Sequence, residues 1–157
     1  LVRQKEIYDG AIPSGNSVAV LDLIRLGRLT MEKEFDIKAE LIFKAFSNEI
    51  SQMPNAYPQM LIALDFALGP SKEIVIAGEI DSKDTRDMIF SIYKRFIPNK
   101  VIAHRPSADK EEKVINLIPF LKEQLPLNGK TTVYVCENYV CKLPTTSIKK
   151  LEELLEK

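Results

Sequence analysis

Gly69-Pro70-Ser71-Lys72-Glu73-Ile74-Val75-Ile76-Ala77-Gly78 is where this chain changes its hydrophobic period. Gly69-Pro70 ends any helix before it, because proline lacks an amide donor and disfavours helix in the preceding residue. Glu73 to Gly78 is then a short β-branched run, the pattern of a buried strand. Apolar residues before the break recur at helical spacing. Those after it come in alternating strand-like and helix-like runs. The expected fold is mixed α/β: a helical segment over residues 1–70, then a small β-α-β-α-β lobe over 71–157 that ends in a helix.

Upstream of the break, Ser14 is an N-cap candidate, with Gly15, Asn16 and Ser17 opening the first turn. The run from Val18 to Leu26 is apolar nearly all round, so that helix should be buried on most sides. Gly27 sits where it would stop. Asp36 is a cap candidate for a second helix carrying Ala39, Ile42, Phe43, Phe46 and Ile50. Pro58, a good first-turn residue, opens a third that runs to Leu68.

Downstream, Asp84 should lead a helix with Met88, Ile89, Ile92, Tyr93 and Phe96 on one face. Lys100 to His104 reads as a second strand. Glu111 to Gln124 reads as a helix that Pro119 kinks or splits. Thr131 to Cys136 is a third strand, turned back at Glu137-Asn138 into Tyr139-Val140-Cys141 as a tight hairpin. Thr146 or Ser147 caps a last helix with Ile148, Leu151, Leu154 and Leu155 inward. A parallel or mixed sheet with right-handed crossovers is the natural topology.

The 157 residues carry 22 basic and 22 acidic side chains, a formal charge of zero. That argues against nucleic acid or an anionic membrane as partner, since both reward a basic excess. No apolar run approaches the roughly 18–20 residues that span a bilayer. Leu1-Val2-Arg3-Gln4-Lys5-Glu6 has neither an initiator Met nor a signal pattern, so the chain reads as a piece of a longer protein. Two cysteines make no secreted disulfide framework, and a reducing, cytoplasmic setting is the default. No dinucleotide fingerprint or Walker loop is present, and no cofactor is expected. The mixed-sign stretches Lys110 to Lys113 and Lys149 to Lys157 read as solvated helix faces.

Four features occur together and in order. They are Asp9-Gly10-Ala11-Ile12-Pro13-Ser14-Gly15-Asn16-Ser17; Pro54-Asn55-Ala56-Tyr57 with Met60-Leu61 and Ala63-Leu64-Asp65-Phe66; the strand Glu73 to Gly78; and Tyr134-Val135-Cys136 to Cys141-Lys142-Leu143-Pro144-Thr145. This set closely resembles the C-terminal part of large thioredoxin-domain proteins of the spermatogenesis-associated protein 20 type. The resemblance covers essentially the whole chain. It implies a thioredoxin-like N-terminal domain followed by an α/α toroid similar to those of six-hairpin glycosidases and N-acylglucosamine 2-epimerases. Residues 1–70 would be the end of that toroid, and the upstream toroid and thioredoxin-like domain would be partners within one polypeptide. Neither sugar chemistry follows from the toroid alone.

Three places carry candidate chemistry. In the Asp9 to Ser17 turn, Asp9 is the acid/base candidate, and Ser14, Asn16 and Ser17 are candidates to hydrogen-bond a small carbohydrate. The same turn also reads as a structural cap. Glycoside hydrolysis normally needs a flanking pair of carboxylates, and Asp22 and Asp65 are the available second ones. Cys136 and Cys141 have Cys-x4-Cys spacing, not the Cys-x2-Cys of thioredoxin-type chemistry. They read as a redox-labile disulfide, half a metal site, or two reduced thiols in a hairpin. His104, the single histidine, falls at the C-terminal end of a strand, where α/β sheets tend to bind ligands. It also reads as an ordinary loop histidine. No metal site is expected, since zinc would need two more ligands.

The function expected is one wall of a polar small-molecule site in a larger toroid, inactive alone. The alternative is a structural or interaction module that docks the thioredoxin-like domain, with the two cysteines as auxiliary thiols. A toroid piece cut from its neighbours should also expose apolar surface and self-associate.

Overall fold

The computed structural model describes residues 5–106 and 111–156. Lys110, Lys157 and the start at Leu1 to Gln4 lie outside the described residues. The chain divides between Gly69 and Pro70 into two compact units.

Among the described residues the first unit holds three α-helices, α1 (Gly15–Thr30), α2 (Lys33–Gln52) and α3 (Pro58–Leu68), with a 3-10 turn Pro54–Ala56 before α3. Ser14 caps α1, its hydroxyl accepting the Ser17 N–H at 3.1 Å. α1 does not stop at Gly27. It continues to Thr30 and ends at Met31, which takes the left-handed conformation at φ 62°. Gly27 serves instead as a point of close approach, since a Cβ there would lie 2.7 Å from Asp36 Oδ1 of α2. Asp36 is not the cap of α2 either. That helix begins at Lys33, which leaves Asp36 in its first turn, where a carboxylate still favours the positive helix end.

Val20, Leu21 and Ile24 of α1, Ala39 and Ile50 of α2, and Met60, Ala63 and Phe66 of α3 are buried. The flanking Val18 and Leu26 are exposed. α1 is therefore less enclosed than its composition predicts, because within this unit it has only two helices against which to bury an all-round apolar surface.

Among the described residues the second unit holds a four-stranded mixed sheet in the order β2-β1-β3-β4. The strands are β1 (Lys72–Ala77), β2 (Lys100–Arg105), β3 (Thr132–Glu137) and β4 (Val140–Cys141). β1 pairs parallel with β2 and antiparallel with β3. The β1–β2 crossover is α4 (Lys83–Tyr93), capped by Ser82 through the Thr85 N–H, with Asp84 in its first turn rather than at its head.

The second connection returns the chain to the end of the sheet that β2 left, and β3 runs antiparallel to β1. Pro119 ends the helical run, leaving α5 (Glu111–Leu117) and a 3-10 segment, Pro119–Glu123. The chain leaves β2 beside Ala77 and enters β3 beside Ala77, at the same end of the sheet.

Ile74, Ile76, Val133 and Val135 of the sheet pack with Met88 and Ile92 of α4 and with Leu151 and Leu155 of α6 (Ile148–Leu155). Tyr93 and Phe96, expected inward, are exposed, as is Ile148. The β3–β4 turn is Asn138-Tyr139, both at positive φ (49° and 64°), one residue later than expected. Two successive left-handed residues match the strand twist of a two-residue hairpin.

Gly78 leaves β1 where only glycine fits. A Cβ there would lie 2.8 Å from Thr131 Oγ1 and 3.2 Å from Thr131 Cα, and the second atom is backbone that cannot swing away. Gly78→Ala should lower stability by about 2 kcal/mol, as overpacking does. Gly15→Ala meets no atom within 4 Å and should be neutral or stabilising, by about 0.5 kcal/mol at most. Urea denaturation of the two variants checks the contrast.

Candidate functional site

Asp9 is buried in the segment leading to α1. Its Oδ1 accepts the Ser14 N–H at 2.8 Å. Its Oδ2 accepts the N–H groups of Gln59 and Met60 at 2.9 and 3.1 Å. Those two amides belong to the first turn of α3, whose own N-cap residue, Tyr57, makes no side-chain cap. Asp9 thus caps α3 from about fifty residues away, and its own N–H is bonded to Ala56 O at 3.0 Å. Pro58, lacking an N–H, leaves the next two amides as the donors that need a partner.

Burial raises the Asp9 carboxyl pKa. The N–H of Ser14, the Ser17 hydroxyl and the N–H groups of Met60 and Gln59 more than offset this and hold it below the usual aspartate range. A carboxylate so placed is a permanent anion at a helix N-terminus. It is a weak proton acceptor and carries no proton to donate at neutral pH.

The other residues of the turn are also committed. The Ser14 and Ser17 hydroxyls bond each other at 2.8 Å, and both residues are buried. Asn16 Nδ2 donates to Glu6 O at 2.6 Å. Sequence reasoning gathered Asp9, Ser14, Asn16 and Ser17 into one turn, and they do lie together. The cap role of Ser14 was legible, and what the sequence did not show is that Asp9 reaches the α3 amides. Asp22 and Asp65 are exposed on α1 and α3, and neither is a hydrogen-bond partner of Asp9.

Cys136 and Cys141 are bonded to each other across the β3–β4 pair. His104 is half-buried near the end of β2, with Nε2 2.9 Å from Gly78 O. At that end of the sheet a cleft of about 350 Å³ is lined by Gly78, Glu79, Ser82, Asp84, Pro126, Gly129, Lys130 and Thr131. The Thr85 and Thr131 hydroxyls bond each other beside it at 2.9 Å. Sequence reasoning missed this cleft because its lining comes from segments about fifty residues apart. Among the described residues no group of three or more His, Cys, Asp or Glu side chains could hold a metal ion. No helix among them is long and apolar enough to cross a membrane.

No family model matches the chain, and no solved structure matches it. Its sequence is 36% identical over 154 residues to human spermatogenesis-associated protein 20, covering 98% of the chain and 20% of that protein. The rat protein of the same name is 35% identical over 154 residues, covering 98% and 19%. An uncharacterized Caenorhabditis elegans protein is 31% identical over 156 residues, covering 99% and 21%. The chain thus spans about a fifth of the length of the curated relatives it matches.

Asp9→Asn should cost about 2 kcal/mol at neutral pH, the range for hydrogen bonds to a charged group. The folded pKa of Asp9 lies below its unfolded value, so its stabilisation is complete above the unfolded aspartate range. It is lost as pH falls through the folded value. The gap between wild type and Asp9→Asn in urea denaturation should therefore narrow as the pH is taken down into the acid range. A gap independent of pH would remove the charge from the explanation.

Proposed function

The chain belongs to the spermatogenesis-associated protein 20 family, and we propose that it works there as a structural module at the C-terminal end of a longer polypeptide. In this reading its helical unit is laid by an apolar face against upstream helices of the same chain. The observation that carries the proposal is the surface of that unit. Ile37 and Leu41, one turn apart on α2, are 56% and 59% exposed, and Leu68 at the end of α3 is 79% exposed. A groove of about 330 Å³ opens between the three helices. Its floor is Ile24, Ala39, Phe43, Leu64 and Ala67, and its rim carries Arg28, Asp36 and Glu40.

Exposed apolar side chains on α2 and an apolar groove beside Leu68 are features that mark interaction sites. Relatives about five times the length of this chain supply the polypeptide to cover it. An apolar groove with a charged rim fits an amphipathic helix. The toroid implied by the sequence resemblance is one arrangement that provides such helices.

The carbohydrate reading rests on the same resemblance, with Asp9, Ser14, Asn16 and Ser17 as the wall of a polar site. The hydrogen bonding of these residues gives them a different task in the proposal. They set the positions of the α1 and α3 N-termini, and any ligand of the whole protein meets groups from elsewhere.

The pair Ile37→Lys and Leu41→Lys tests the module. Both positions are exposed in the chain alone, so its urea stability should change by no more than about 0.5 kcal/mol. Concentration-dependent association of the isolated chain, read by sedimentation, should weaken. In the polypeptide that carries this chain with the rest of the protein, the same pair should cost about 2 kcal/mol or more, through charges placed against an apolar partner. Equal stability there would mean that the face is left uncovered.

A further inference from the structure

We propose that Cys136 and Cys141 form a reversible dithiol–disulfide couple, which exchanges with low-molecular-weight thiols at the Cys141 sulfur. The two residues oppose each other next to the hairpin turn. The adjacent pair, Val135 and Lys142, carries a ladder bond, with Lys142 N–H on Val135 O at 3.0 Å. Alternation then makes Cys136 and Cys141 the non-hydrogen-bonded pair, whose side chains approach most closely.

Two observations set the bridge apart from a structural staple. The first is redundancy. Tyr139 N–H donates to Glu73 Oε2 at 2.9 Å, and Asn138 N–H to Ser71 O at 3.3 Å. Glu73 is buried and also accepts the Ser71 hydroxyl at 2.8 Å. These bonds tie the hairpin tip to the strand β1 and its approach without help from sulfur. The cysteines are five positions apart, and so short a loop constrains the unfolded chain least.

The second is asymmetry. Cys136 is 4% exposed, whereas Cys141 lies on the open edge strand. An incoming thiolate reaches the sulfur of Cys141 and is shielded from that of Cys136. The Gln124 amide lies beside this sulfur, with Nε2 4.0 Å from Cys141 Sγ. Gln124 Oε1 is buried and has no partner among the described residues. A half-turn of the amide offers that oxygen to the sulfur, and the reduced thiol supplies the S–H donor that a disulfide lacks.

The exchange balances as follows. An external thiolate attacks Cys141 Sγ, and the Cys136–Cys141 bond breaks. The bonding electron pair leaves on the Cys136 sulfur, which takes a proton from water. A second external thiolate then attacks the external sulfur of the mixed disulfide and releases Cys141 as its thiolate, which also takes a proton. Two thiols become one disulfide, and the protein gains two electrons and two protons.

Glutathione is the probe. The 157-residue chain is equilibrated with graded ratios of reduced to oxidised glutathione, quenched by alkylation and read by mass. The expected result is smooth, reversible conversion between the bridged and dithiol forms, with an unchanged circular dichroism spectrum. With oxidised glutathione, Cys136→Ser should form its adduct at Cys141 on the order of tenfold faster than Cys141→Ser forms one at Cys136, as access dictates. A bridge that stays closed at every ratio, reduction that unfolds the sheet, or equal adduct rates would each overturn the proposal. Wild-type titration alone decides the first two, whatever the folding of the variants.

Discussion

A buried carboxylate that faces two helix starts organises the first half of this protein. Asp9 Oδ1 holds the Ser14 amide, which positions the cap of α1, and Oδ2 holds the first free amides of α3. One side chain thereby satisfies donors that would otherwise be left without partners at the start of α3, where Tyr57 provides no cap. The helix dipoles and the carboxylate reinforce each other. Burying this anion is tolerable because its hydrogen bonds stabilise the charged form, which is why its pKa falls despite burial. The Ser14–Ser17 pair, the Asn16 bond to Glu6 and the approach of α3 to α1 all follow from that placement.

The same geometry changes what the turn can do. A general acid needs a raised pKa, and a general base needs a lone pair directed at substrate. Asp9 has a lowered pKa, and its lone pairs are aimed at backbone. Polar, glycine-bearing turns at helix starts suggest ligand sites because they present amide donors. Here the chain's own anion takes the Ser14 amide and the first two free amides of α3.

In the second half the two connections set the strand directions. α4 carries the chain back along the sheet, and β2 lies parallel to β1. After β2 the chain enters β3 from the end where β2 left, and β3 runs antiparallel. That choice places the β3–β4 hairpin at the sheet edge, with one cysteine under the surface and one upon it. It also brings Thr131 against Gly78, a contact that permits no side chain at residue 78.

Several elements were legible from sequence because their signals are local. Pro58 and Gly69 bracket α3, Ser14 caps α1, the β-branched run makes β1, and Pro119 divides the segment after β2. The candidate turn was legible as a cluster for the same reason. Features that depend on distant partners were not. Gly27 looked like a stop signal, but it is a contact point with a helix that begins six residues later. Tyr93 and Phe96 fit a helical face, but α4 ends at Tyr93, and both residues are exposed while Ile92 and Ile97 beside them are buried. The sequence by itself determined the kinds of elements, their order and the residues of the Asp9 turn, since propensity, capping and period act within a few residues. Only the tertiary structure decided that Asp9 caps α3, that β3 runs antiparallel and that Cys136 is the shielded sulfur. Each of these is set by what packs against the residue from far along the chain.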